Sequence, residues 1–254
     1  MPPQASDAIE DGDCDHEDKR NQMQDDNRVG DSDSSPRLPD WARAGQRGDS
    51  DWGETLRVPE WQDEGGEYRR NNGWKGRDLV HDRDSPVRVL DYYVNYGRGI
   101  SHANQETNDG EKHATNSPAA KKNATEYKTF VRGGVGTTLT GIVHFTKRAE
   151  SHQGYCHGGS MCSIMDDVIG WVGFLVTGKC IPWSGFTVQV NSKLQRPIHV
   201  DSVLMVRAKI TSVERRKVSI EAVIKDPKHD ENGGCIHATA SGLVVVNRGV
   251  LCGE

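Results

Sequence analysis

Residues of three types that can do chemistry meet in HGGSMCSIMDD, residues 157–167. A histidine and two glycines open the stretch, and two adjacent carboxylates close it. Gly158 and Gly159 let a bound molecule approach the backbone closely, and the free N–H groups of a helix start are suited to negative charge developing on a carbonyl oxygen. A carboxylate among apolar neighbours has a destabilised charge, which raises its basicity toward what deprotonating water requires. Asp166 and Asp167 point about 100° apart around a helix, so one of the two is expected to serve as such a base and the other to be structural or solvent-facing. His157 is expected to position the helix start.

Other reactive types carry weaker cases. Cys156 beside His157 has the composition of a thiol nucleophile and its base, but adjacent residues rarely face each other. Residues 13–18, DCDHED, offer metal-ligand types in a polar tract with no scaffold to fix geometry, so a plain acidic tail is expected and no metal or redox cofactor. Arg215, Arg216 and Lys217 form a basic turn, solvated on the simpler account and phosphate-binding on the sharper one. Asn123-Ala124-Thr125 is a formal glycosylation sequon, relevant only to a chain in the secretory route.

The elements that must position these residues are legible downstream of residue 126. Residues 158–177, GGSMCSIMDDVIGWVGFLVT, contain no proline and are apolar nearly all round. This predicts a helix of about five turns, buried on every side. It lacks the length and flanks expected of a membrane helix. Gly170 and Gly173 each cost ~1 kcal/mol of helix propensity against alanine, which predicts close approach of another backbone or a ligand. Alternation of apolar and polar residues predicts strands over 137–149, 184–197, 202–214, 217–226 and 234–247. The links IHVD, RR and PKHDENG are short enough to require antiparallel neighbours. One strand, a long buried helix and four more strands give an α+β domain over residues 126–250, with an antiparallel sheet curled around the helix. An open sheet edge predicts pairing with a second copy.

The first half has another texture. Residues 1–117 are rich in Asp, Arg, Asn, Gly and Ser and lower the mean hydropathy of the chain to -0.73. Too little apolar surface is present to offset an ordering cost of roughly 1–2 kcal/mol per residue, so this region is expected to be mostly disordered. Its one structured candidate is 85–100, a short helix or strand docking on the folded part. The net charge of -5 argues against nucleic acid as a partner. No run of about 18 apolar residues is seen, so no membrane span is expected. The N-terminus has no export pattern, and its acids disfavour a mitochondrial presequence. A cytoplasmic protein with reduced thiols is therefore expected.

Together, GYCHGGSMCSIMDDVIG, TVQVNSKLQRPI and ATASGLVVV resemble the acyl-CoA thioesterases of the hotdog fold, in the phenylacetate-pathway-like and eukaryotic thioesterase-superfamily-member branch. The resemblance covers roughly 137–247. HGG with Asp166 at its spacing, then Thr187, Asn191 and Arg196-Pro197, makes it specific. It implies a dimer, or a dimer of dimers, with active sites at the dimer interface and acyl-CoA as substrate. It implies that Asp166 acts as general base or nucleophile, that Thr187 helps place the water, and that the His157–Gly158 turn polarises the thioester carbonyl. Gly159 and Asn191 are further candidate substrate contacts, beside the phosphate-binding account of the Arg215, Arg216 and Lys217 turn. One departure stands out. Ser151 occupies a loop position where many relatives carry asparagine or glutamine, which favours an alternative: a non-catalytic hotdog dimer that binds acyl-CoA or recruits partners through its tail.

Overall fold

The alternating residues of 202–246 form the middle of a seven-stranded antiparallel sheet in the computed structural model of the chain, which describes residues 36–46, 52–56, 73, 79–82, 84–96, 132–178, 184–228 and 235–247. In chain order the elements are α1 (Asp40–Gln46), β1 (Glu54–Thr55), β2 (Val87–Asn95), β3 (Thr138–Phe145), β4 (Glu150–His152), β5 (Tyr155–Cys156), α2 (Gly158–Phe174), β6 (Gly185–Leu194), β7 (Ser202–Glu214), β8 (Lys217–Asp226) and β9 (Cys235–Val246). The sheet order is β1-β2-β3-β7-β8-β9-β6, with β4 and β5 paired separately. This is a hotdog fold: α2 packs on β3, β6, β7, β8 and β9, and the sheet curls around it.

Period-2 alternation sends one face of each strand to α2. Val218, Ile220, Ala222 and Ile224 of β8 meet Ala238, Ala240 and Val244 of β9 in the core that Ile164, Met165, Val168, Ile169 and Val172 of α2 fill. The helical glycines face side chains rather than the backbone or ligand expected. A Cβ on Gly173 would sit 2.8–2.9 Å from three carbons of Val244, and one on Gly170 would sit 3.4 Å from the Thr187 hydroxyl oxygen.

Two expectations are corrected by α2. It is not buried on every side, because Gly159, Cys162 and Asp166 form an exposed stripe at helical spacing. Residues 158–177 are also long and apolar enough to cross a membrane, with a hydropathy of 1.3, contrary to the expectation that no such stretch exists. Its packing against five strands of the sheet makes it the core helix instead.

The sheet extends further toward the N-terminus than residue 126. The stretch 85–100 contributes a strand, β2, which pairs with β3 along its length. A bulge between Val89 and Asp91 shifts its parity, so Val87, Val89, Tyr92 and Val94 all reach the main core while Leu90 and Tyr93 turn to the other face. There they join Trp52, Ile142, Met205 and Ala42 of α1 in a second, smaller core on the back of the sheet. Neither α1 nor β1 is expected from the sequence; with β2 they are the regular elements of 1–117 among the described residues. Residues 1–35 and 97–131, including DCDHED and the sequon, lie outside the described residues.

Candidate active site

His157 ends the chain's extended run with φ -65° and ψ 135° and caps α2. Its Nδ1 accepts the Gly159 N–H at 2.8 Å and its carbonyl accepts the Ser160 N–H at 3.0 Å. An acceptor Nδ1 requires the neutral ring with its proton on Nε2. The cap therefore commits the Gly159 N–H, while the exposed Gly159 backbone still lines the cleft at this helix start. The Gly158 N–H has no partner among the described residues. A Cβ on half-buried Gly158 would meet only the far methyl of exposed Leu194, at 2.7 Å, a side chain free to turn away. A cleft of about 290 Å³ opens here, lined by Leu79, Pro86, Arg148, His157, Gly159 and Ser163 among others.

Two turns along α2, Asp166 accepts a hydrogen bond from the Thr187 hydroxyl of β6. Partial burial pushes the Asp166 carboxyl above its ordinary value, the Thr187 hydrogen bond opposes this, and the neighbouring Asp167 charge adds to it. The residues on which the sequence places a base and a water-positioning hydroxyl thus lie together. The helix start lies elsewhere. Eight residues at 1.5 Å rise separate Gly158 from Asp166 by about 12 Å, too far for both to act on one carbonyl from the same chain.

Asn191 does not join Thr187. Four residues apart on a regular strand the two would share a face, but a bulge between Thr187 and Gln189 reverses the parity. Thr187 pairs with buried Val244, facing α2, whereas Asn191 pairs with exposed Ser241 on the other face. Arg215, Arg216 and Lys217 form the β7–β8 turn, with Arg215 in the left-handed region at φ 53°. Val218 pairs with Val244, and Val244 with Thr187, so this turn lies at the same end of the sheet as Thr187 but two strands away. Among the described residues none of the three forms an ion pair.

Cys156 is not poised as a nucleophile. Burial, followed by the nearby Glu150 charge, pushes its thiol up to about 11. Asp167 is neither idle nor solvent-facing. Its carboxylate accepts the Tyr92 hydroxyl at 2.8 Å and the Trp171 indole N–H at 3.2 Å, and lies 3.0 Å from His81 Nε2. Only Trp171 stands at helical spacing from it. His81 and Tyr92 are 86 and 75 positions away, so no local pattern signals the cluster. Among the described residues no group of three or more His, Cys, Asp or Glu is placed to hold a metal ion.

Residues 153–232 match the family model of the thioesterase superfamily. No curated protein sequence matches the chain. A solved thioesterase superfamily protein is 26% identical over 43% of this chain and 49% of its own, with a TM-score of 0.35, so this chain spans about half of it. A hypothetical thioesterase from Streptococcus pneumoniae, solved with coenzyme A, is 18% identical over 46% of this chain and 80% of its own, TM-score 0.37. The E. coli PaaI protein of the phenylacetic acid degradation operon is 13% identical over 43% and 72%, TM-score 0.37.

Proposed function

We propose that this chain is an acyl-CoA thioester hydrolase that releases CoA and a carboxylic acid. The observation that carries the proposal is the Asp166–Thr187 pair, on the open stripe of a core helix whose start leaves the Gly158 N–H uncommitted. The match of residues 153–232 to the thioesterase superfamily supports it. In the reaction Asp166 takes a proton from water, whose oxygen attacks the thioester carbonyl. The oxyanion is met by the Gly158 N–H at the positive end of α2; the carbon–sulfur bond then breaks, and the proton taken up by Asp166 passes to the departing sulfur, so that CoA leaves as the thiol and Asp166 is ionised again.

Because about 12 Å separates Asp166 from Gly158 in one chain, the carbonyl is held by Gly158 of the partner subunit. The edge strand β6 suits such a partner. It exposes Phe186 at 52%, Val188 at 46% and Leu194 at 47%, and Leu194 reaches the start of α2 at Gly158. A homodimer with antiparallel helices would cover these side chains and complete two sites.

The test is an acyl-CoA panel of graded chain length assayed with wild-type protein and Asp166→Asn. The variant is expected to lose roughly 10²–10⁴ of kcat, the range for a general base, while still binding acyl-CoA. Wild-type turnover in Asp166→Asn removes this residue from the mechanism. Binding without turnover in the wild type instead supports the non-catalytic reading that Ser151, exposed on β4, favours.

A further inference from the structure

Asp167 is held more firmly than any other charged side chain described on α2. The Tyr92 hydroxyl, the Trp171 indole and the His81 imidazole converge on its two oxygens, and its side chain is 15% exposed. Two of these groups come from the segment before β3. The Val89 N–H donates to the Val80 carbonyl at 2.9 Å, tying the His81 stretch to β2, and β2 is in turn bonded to β3. Tyr92 reaches α2 because its cross-strand partner is Gly141, where a Cβ would lie 2.6 Å from the Tyr92 ring. A side chain there would displace the ring.

Three hydrogen-bond donors on one carboxylate fix the rotation of α2 about its axis at residue 167, and hence the direction in which residue 166 points. Resting on the reading that Asp166 is the base, we propose that Asp167 is a positioning residue for it. The clamp of His81 and Tyr92 makes the segment before β3 a working part of the site. Asp167 is also a fixed negative charge one residue from the Asp166 carboxyl, whose proton it helps to hold.

The other groups around the pair do not supply this charge. Thr187, facing Asp166 from β6, does not titrate in the relevant range. The strands β3, β7, β8 and β9 present Val143, Val206, Ile220 and Val244 to the core around α2. His144, the buried titratable side chain of β3, pairs instead with Asp201 at 2.8 Å. Among the described residues the titratable groups seen beside Asp167 are Asp166, His81 and Tyr92.

The experiment compares full-length wild type, Asp167→Asn and Tyr92→Phe by carbon-13 titration of the Asp166 carboxyl and by kinetics with hexanoyl-CoA. In Asp167→Asn the Asp166 titration and the acid limb of kcat/KM both move to lower pH, and kcat falls about tenfold with KM changed less than twofold. Tyr92→Phe keeps the ring over Gly141 but withdraws one donor, so kcat falls severalfold at constant KM and the Asp166 titration is displaced. The lost charge alone accounts for the shift in Asp167→Asn, so positioning is read from Tyr92→Phe, which withdraws a donor and no charge: a residue that only stabilised the fold would leave the Asp166 titration and the kcat of folded Tyr92→Phe unchanged. Superimposed Asp166 titrations in the folded variants overturn the proposal. If the wild type hydrolyses no acyl-CoA, the functional reading fails on its own, and the titrations still decide whether Asp167 and its clamp act on Asp166.

Discussion

Asp166 is set up for reactivity at the expense of stability. Partial burial and the Asp167 charge both raise its proton affinity in the folded state, and the Thr187 hydroxyl offsets them only in part. Two consequences follow from the sign. As a base Asp166 must be ionised, so kcat/KM is expected to fall on the acid side with a limb above the ordinary aspartate value of about 3.9. The folded chain also holds this proton where the unfolded chain has released it, so stability falls as pH rises between the unfolded and folded pKa values. At neutral pH the ionised carboxylate is a net cost that Asp166→Asn removes. The variant is therefore expected to melt no lower than wild type at pH 7 while being inactive. A clear loss of Tm in Asp166→Asn would mean that the carboxylate supports the fold, and would contradict the balance of forces described here.

At the scale of elements, the two helical glycines separate what helix propensity asks from what packing allows. Gly173→Ala gains ~1 kcal/mol of propensity but drives a Cβ to within 2.8–2.9 Å of Val244, a branched side chain on a central strand that cannot swing away. Overpacking of this kind costs ~1–3 kcal/mol, so urea unfolding of Gly173→Ala should show a lower midpoint. Gly170→Ala meets only the Thr187 hydroxyl oxygen at 3.4 Å and should unfold at the wild-type midpoint or above it. Equal midpoints would refute the packing argument. These glycines also mark how far the sequence could be read. The helix, its start at His157 and the five strands after residue 126 follow from composition and period, because each is a local pattern. What escaped was non-local or broke the period. The bulge after Thr187 turns Asn191 to the far face although the spacing of the two residues is that of one face. The clamp on Asp167 and the packing of α1 and Trp52 behind the sheet depend on residues many tens of positions apart, for which the sequence holds no local signal.

For the whole molecule, the decisive quantity is the two-turn separation between base and helix start. If each active site takes Asp166 from one chain and Gly158 from the other, two inactive variants should rescue each other. Gly158→Pro is the suitable second variant. It removes the N–H at the first helical position, where proline is tolerated, and His157 already has the extended backbone that a residue before proline prefers. Co-expressed in equal amounts with Asp166→Asn, half the dimers are mixed. Each mixed dimer has one site lacking both groups and one site with both intact, so about a quarter of wild-type activity is expected from statistical pairing. Sedimentation should show dimers throughout, and Phe186→Glu with Val188→Lys on the exposed edge of β6 should yield monomers without activity. A site built within one chain would show no rescue in the mixture, since every chain would lack one of its two groups. It would also leave the monomeric variant active, and either result would exclude the shared site.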